Sequence, residues 1–264
     1  MPRRSSSQLS SADSHGFLRE VRLERDRIDD FSRYPFSIPA VRALETLALD
    51  PAVTFLVGEN GSGKSTLIEA ISIRAGFNAE GGSKNFHFSE RATESELHAY
   101  LALVRGTRRE RTGFFMRAET MFNLASEIER SNLAAYGWDD LHVKSHGEAF
   151  LWLVANRFHR QGLFLLDEPE SALSPQRQLS FLRLVHDRVA DGGQFIIATH
   201  SPLIMAYPGA TIYVLDREGI RRVPYEETEH YIVTKTFLED PALTFRFLFG
   251  SGGADGEDDS ESEE

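Results

Sequence analysis

Three short, nearly unbroken apolar runs punctuate the chain: Val53-Thr54-Phe55-Leu56-Val57, Leu163-Phe164-Leu165-Leu166 and Phe195-Ile196-Ile197-Ala198. Runs of this length with no polar alternation predict strands covered on both faces, the condition of a parallel sheet. Helical spacing fills the intervals. Leu67, Ile68, Ala70 and Ile71 predict a helix ending near Gly76, and Phe150, Leu151, Val154 and Phe158 predict another over 148–158. Ser174-Pro175 supplies a cap residue and a first-turn proline for a third, which runs through Leu179, Leu182, Leu184 and Val185 to Gly192-Gly193. Ala210 to Val223 reads as a hairpin turning near Arg217-Glu218-Gly219, and Val21 to Pro51, broken by Pro35 and Pro39, as edge strands and turns. Strands alternating with helices predict an α/β domain, a mixed sheet with a parallel core and flanking helices.

The middle of the chain is less regular. Asn78 to Arg91 is rich in Gly and polar residues and predicts a loop. Leu97, Leu101 and Val104 fall at helical spacing within 94–104, and Phe122 to Ile128 is a second amphipathic stretch. The span from about 86 to 142 is therefore expected to be a helical lobe inserted into a domain covering 16–250.

Composition adds three restrictions. There are no cysteines, which excludes disulfides, thiolate metal sites and a cysteine nucleophile. No stretch approaches the roughly 18 uninterrupted apolar residues of a membrane span, and the polar, Ser-rich first 15 residues have no signal-like apolar core. A cytoplasmic protein with no membrane insertion is expected. The net charge of −11 is concentrated at one end, because residues 251–264 hold seven acids and no base. That segment is expected to be a disordered tail, as are residues 1–15. A basic cluster (Arg105, Arg108, Arg109, Arg111, Arg117) offers either a solvated face or a phosphate-contacting patch.

Chemistry enters with Gly58-Glu59-Asn60-Gly61-Ser62-Gly63-Lys64-Ser65-Thr66, which fits G-x-x-x-x-G-K-[ST] between a strand and a helix. Glycines there let the backbone curl until several N–H groups face one anion, and the following helix adds its positive end. Lys64 is then expected to reach the β- and γ-phosphates of a nucleoside triphosphate, with the Ser65 hydroxyl on Mg²⁺. A second constellation follows the run at 163–166: Asp167-Glu168-Pro169-Glu170 places carboxylates at a strand end. Asp167 suits Mg²⁺ held through water, and Glu168 suits a general base. The strand at 195–198 leads to His200-Ser201-Pro202, so Asp167, Glu168 and His200 are expected to meet in the crevice at the strand C-termini.

On these residues the chain resembles the ATP-binding-cassette (ABC) ATPase superfamily over about 20–235. The resemblance rests on the Walker A loop at 58–65, the Walker B strand and glutamate at 163–168, the loop Ser171-Ala172-Leu173-Ser174, and His200 in the switch position. Ser145-His146-Gly147-Glu148 stands in the place of the family's Leu-Ser-Gly-Gly-Gln signature. Ser145 and Gly147 match it, whereas His146 and Glu148 depart. The resemblance implies MgATP hydrolysis, with ATP as substrate and Mg²⁺ as cofactor. It also implies an ATP-dependent homodimer in which Ser145 and Gly147 of one copy contact the γ-phosphate held by the other. Within the superfamily the chain is similar to soluble bacterial ATPases related to DNA-repair and chromosome-maintenance enzymes, which suggests a nucleic-acid or protein partner. No glutamine occurs between Thr66 and Arg160, so the glutamine by which transporter subunits sense Mg²⁺ is missing. A transporter ATPase subunit and a small-molecule kinase remain the alternatives. Phe36 or Tyr34 is a candidate for adenine stacking, and His15, His87, His98, His142, His159, His186 and His230 make no convincing metal-ligand pair.

Overall fold

The computed structural model describes residues 16–79, 81–83, 95–117 and 150–250, apart from 152, 153 and 156. Ten strands occur among them: β1 (Leu18–Leu23), β2 (Thr46–Ala48), β3 (Val53–Val57), β4 (Gly82–Ser83), β5 (Leu101–Arg105), β6 (Thr112–Met116), β7 (Gly162–Asp167), β8 (Gln194–Ala198), β9 (Thr211–Asp216) and β10 (Gly219–Val223). Seven form one sheet in the order β10-β9-β3-β8-β7-β6-β4. Its five central members are parallel, with an antiparallel strand on each edge. The other three pair antiparallel in the order β2-β1-β5.

Side chains alternate across the parallel core, as a strand of period two requires. Leu163, Leu165, Ile196 and Ala198 face one apolar cluster, which includes helix α2 (Lys64–Ala75) and the three-stranded sheet. Phe164, Leu166, Phe195 and Ile197 face the other, which the helical residues around Phe150 and Val154 share with helix α3 (Pro175–Ala190). Phe158 stacks on Phe164 at 4.3 Å between ring centres. Because both faces are covered, β3, β7 and β8 carry no exposed position.

Gln194 joins the two sheets. Its side chain is fully buried; Oε1 accepts from the Leu18 amide (2.9 Å) and Nε2 donates to the carbonyls of Leu18 and Asp50 (2.7 and 2.9 Å).

One expectation fails in the middle of the chain. Leu97 lies in a short 3-10 turn at Glu96–Tyr100, but Leu101 to Arg105 is strand β5, registered against β1 with Leu101 opposite Leu23 and Leu103 opposite Val21. Residues 112–116 form β6, a parallel neighbour of β7. This part of the proposed helical lobe therefore belongs to the sheets. The Leu97, Leu101, Val104 spacing is equally compatible with a turn followed by a strand, and the waiting partner strand decides. The remainder of the lobe, with Ser145, Gly147, the N-terminal 15 residues and the acidic tail, lies outside the described residues.

Helix α1 (Pro39–Ala43) precedes β2, and α4 (Pro202–Met205) follows His200. The described chain closes with α5 (Glu229–Glu239) and α6 (Pro241–Phe249). Neither of these last two helices buries a residue, and Phe247 and Phe249 are 82% and 75% exposed.

Candidate functional site

The C-terminal ends of β3, β7 and β8 lie side by side, and the loops leaving them carry the charged residues singled out above. Gly58, Gly61 and Gly63 all have positive φ (149°, 79° and 99°). At Gly58 the requirement is also steric, since a Cβ there would sit 2.2 Å from the Leu215 carbonyl oxygen. Gly58→Ala is expected to cost roughly 2–3 kcal/mol, from strained backbone plus a contact that cannot relax. A urea titration would show this as a lower midpoint at unchanged slope.

Lys64 opens α2 and is 3% exposed. Its ammonium donates to the carbonyls of Gly58 and Glu59 (2.8 and 2.9 Å), which holds it along the loop. Burial lowers its pKa, opposed by the carboxylates of Glu168, Asp167 and Glu170. The Ser65 hydroxyl donates to Asp167 Oδ1 at 3.2 Å, bridging the first turn of α2 to the end of β7. Asp167 is buried and its pKa is pushed up to about 7, chiefly by loss of solvent and further by Glu168, with the Ser65 hydrogen bond opposing. A carboxylate so placed gains most from a cation.

Glu168 adopts the left-handed region (φ 49°, ψ 54°), which is uncommon for a residue with a side chain. Its amide donates to the Ala198 carbonyl (2.9 Å), and its Oε1 lies 3.6 Å from Nε2 of His200. That Nε2 and the Ser62 hydroxyl are buried and have no hydrogen-bond partner among the described residues. Two such orphans beside a glycine-rich loop suit a ligand dense in acceptors.

Glu170 is a residue whose role the sequence did not reveal. Its Oε2 accepts from the Thr199 hydroxyl (2.8 Å) and its Oε1 from the His200 amide (2.6 Å). Burial raises its pKa, and these two hydrogen bonds oppose the shift. One carboxylate thus fixes the backbone that delivers His200. Gln178 of α3 supports the next turn, accepting from the Ser201 hydroxyl (2.6 Å) and donating to the Leu173 carbonyl (3.2 Å). The residue pattern Asp-Glu-Pro-Glu displays this carboxylate, but nothing local identifies a partner thirty positions away.

Other candidates are not brought to the site. Phe36 is fully buried in the core, edge-on to Tyr100 at 4.9 Å, so it cannot stack on a base, whereas Tyr34 is 62% exposed. Arg105 pairs with Glu110 and Arg117 with Glu69, each at 3.1 Å, so two members of the basic cluster serve internal ion pairs. Among the described residues, no group of three or more His, Asp or Glu could by itself hold a metal ion. The pair Ser65 and Asp167 still suits Mg²⁺, which keeps waters and phosphate oxygens as most of its ligands.

A Walker-type loop on β3, acidic residues ending β7 and a histidine after β8, on a sheet with antiparallel edges, define a P-loop ATPase of the ABC type. Comparison with known proteins agrees. A family described as "AAA domain" matches residues 28–114, and one described as "AAA domain, putative AbiEii toxin, Type IV TA system" matches 147–206. The chain is 32% identical over 161 residues to the cytochrome c biogenesis ATP-binding export protein CcmA of Rhodopseudomonas palustris (strain BisB5), covering 57% of this chain and 79% of that protein. It is 28% identical over 210 residues to CcmA 2 of Salmonella paratyphi A, covering 73% and 90%. The chain belongs to the AAA/ABC ATPase family and is an ATPase. Solved structures similar to it include the SMC head domain from Thermotoga maritima (18% identity, TM-score 0.43, 78% of this chain and 98% of that one). Another is cbiO1 from Clostridium perfringens (19%, TM-score 0.41, 78% and 91%). Among the described residues no helix is long and apolar enough to cross a membrane.

Proposed function

We propose that this ATPase is an ATP-driven dimerising switch of the cytoplasm, acting on a protein or nucleic-acid partner, with the chemistry carried by the residues at the ends of β3, β7 and β8. The observation that supports this most is the convergence of Lys64, Asp167, Glu168 and the Nε2 of His200, unpartnered among the described residues, at the C-terminal ends of three central strands. In this reading the amides of Gly58 to Thr66, including Glu59, Asn60, Gly61, Ser62 and Gly63, and the Lys64 ammonium hold the triphosphate. Ser65, and Asp167 through water, would hold its Mg²⁺, which would supply positive charge against the phosphates. Glu168 accepts a proton from the attacking water as the bond between the γ-phosphorus and the bridging oxygen breaks. His200 Nε2 donates to a γ-phosphate oxygen as charge shifts. Ser145 and Gly147 are assigned to the γ-phosphate of the second copy.

The similarity to CcmA favours a second reading, an ATPase subunit of a transporter. The absence of a glutamine between Thr66 and Arg160 favours the switch. Light scattering of Glu168→Gln after size exclusion separates a dimerising cassette from a monomeric one. A doubled molar mass only with MgATP is expected, and a monomer that still binds ATP would overturn the dimer. Turnover stimulated by nucleic acid or by a soluble partner, rather than by a membrane permease, would then select the switch.

A further inference from the structure

Seven histidines offered no metal pair in the sequence, yet one of them lies against the site. His230 sits in the first turn of α5, and its Nε2 is 3.4 Å from Nδ1 of His200, with ring centres 5.5 Å apart. Its position is fixed from both sides. Thr228, fully buried, caps α5 by accepting from the Tyr231 amide (3.3 Å) and donates to the Tyr225 carbonyl (2.7 Å). The Tyr225 hydroxyl in turn donates to the Pro202 carbonyl (2.9 Å), two residues beyond His200.

Two imidazoles sharing one contact need one donor and one acceptor. Burial holds both below the usual histidine range, with the Lys64 charge adding to this, while Glu168 beside His200 and Glu229 beside His230 oppose it. Both shifts favour the neutral imidazole, which has a single N–H. If His200 donated from Nδ1, its Nε2 would turn a lone pair toward the Glu168 carboxylate 3.6 Å away. If His230 donates, the His200 proton lies on Nε2 and meets that carboxylate, or a phosphate oxygen, as a donor. Electrostatics select the second arrangement.

We infer that His230 is a positioning residue that donates from Nε2 to His200 Nδ1 and so fixes His200 as the Nε2–H tautomer. Glu170 holds the backbone of His200 and His230 its ring, so the donor is aimed before ATP arrives. The inference rests on the reading in which His200 Nε2 contacts the γ-phosphate. The residue also links that contact to the N-terminus of the exposed helix pair α5 and α6.

The test is ¹⁵N NMR of the full chain labelled in its nine histidines, with His200 assigned through His200→Gln and turnover measured in parallel. Wild type and His230→Gln, whose amide can donate the same bond, are expected to keep His200 as the Nε2–H form. His230→Leu is expected to show mixed tautomers and a kcat lower by about 10- to 100-fold at unchanged KM. A wild-type His200 protonated on Nδ1 overturns the inference. So does a loss of kcat in His230→Leu with the tautomer intact, which is merely structural damage. An unchanged tautomer with unchanged kcat overturns it as well. A tautomer shift without loss of kcat supports the pair and instead removes His200 from the chemistry.

Discussion

Replacing Glu168 by Gln is expected to lower MgATP turnover by about 10²- to 10⁴-fold, the range over which a positioned general base acts. Binding of ATP should change little, because Gln keeps the length and hydrogen-bonding reach of Glu and the triphosphate is assigned to Lys64 and the loop amides. The backbone demand at this position is the same for both residues, so the fold should tolerate the exchange. Phosphate release under single-turnover conditions separates the two effects: the rate constant falls while the ATP concentration giving half-saturation stays fixed. A variant that hydrolyses at the wild-type rate would remove Glu168 from the reaction and turn attention to Asp167 and Glu170, its neighbours at the end of β7.

The second large effect concerns Asp167 in the nucleotide-free protein. Its pKa is raised to about 7 in the fold, from an ordinary value near 4, mainly by burial. The folded state thus binds a proton more tightly than the unfolded chain does. Below about pH 4 both states are protonated and the group is neutral in the balance. As pH rises from 4 toward 7 the unfolded chain ionises first, and stability is lost. The full shift corresponds to about 4 kcal/mol, an upper bound because relaxation and entering water soften it. Asp167→Asn should therefore be several degrees more heat-stable than wild type at pH 8, with about a quarter of that difference left at pH 4.5. Thermal melts at the two pH values check this, and equal differences at both would show that burial of the charge is not the cause. MgATP should narrow the gap at pH 8 by stabilising wild type, in which the carboxylate meets a cation.

The parallel core was legible because its strands are covered on both faces, which leaves runs such as Leu163 to Leu166 with no polar alternation to confuse the reading. The glycine-rich loop was legible because the curled backbone restricts residue type at several adjacent positions. The stretch at 101–105 was misread because five residues with Leu101, Leu103 and Val104 satisfy more than one period, and only pairing with β1 decides between them. Phe36 carried no mark that would distinguish a core aromatic from a stacking one. Glu170 and His230 escaped for a different reason. Each acts on His200 across thirty positions of chain, through contacts that the return of β8 and the hairpin of β9 and β10 create. Residue type alone does not encode such meetings.

The left-handed backbone of Glu168 carries an implication for how this chain can change. A residue with a Cβ costs roughly 1–2 kcal/mol in that conformation, whereas glycine, and to a lesser degree asparagine, enters it freely. Exchanges that ease the strain there delete the carboxylate or, with aspartate, draw it back by one methylene. A library of this chain sorted only for yield or heat resistance would drift toward Gly or Asn at position 168, and would enrich well-folded proteins that hold ATP without consuming it. With Glu168 as the proposed base, robustness and turnover would pull this one position in opposite directions.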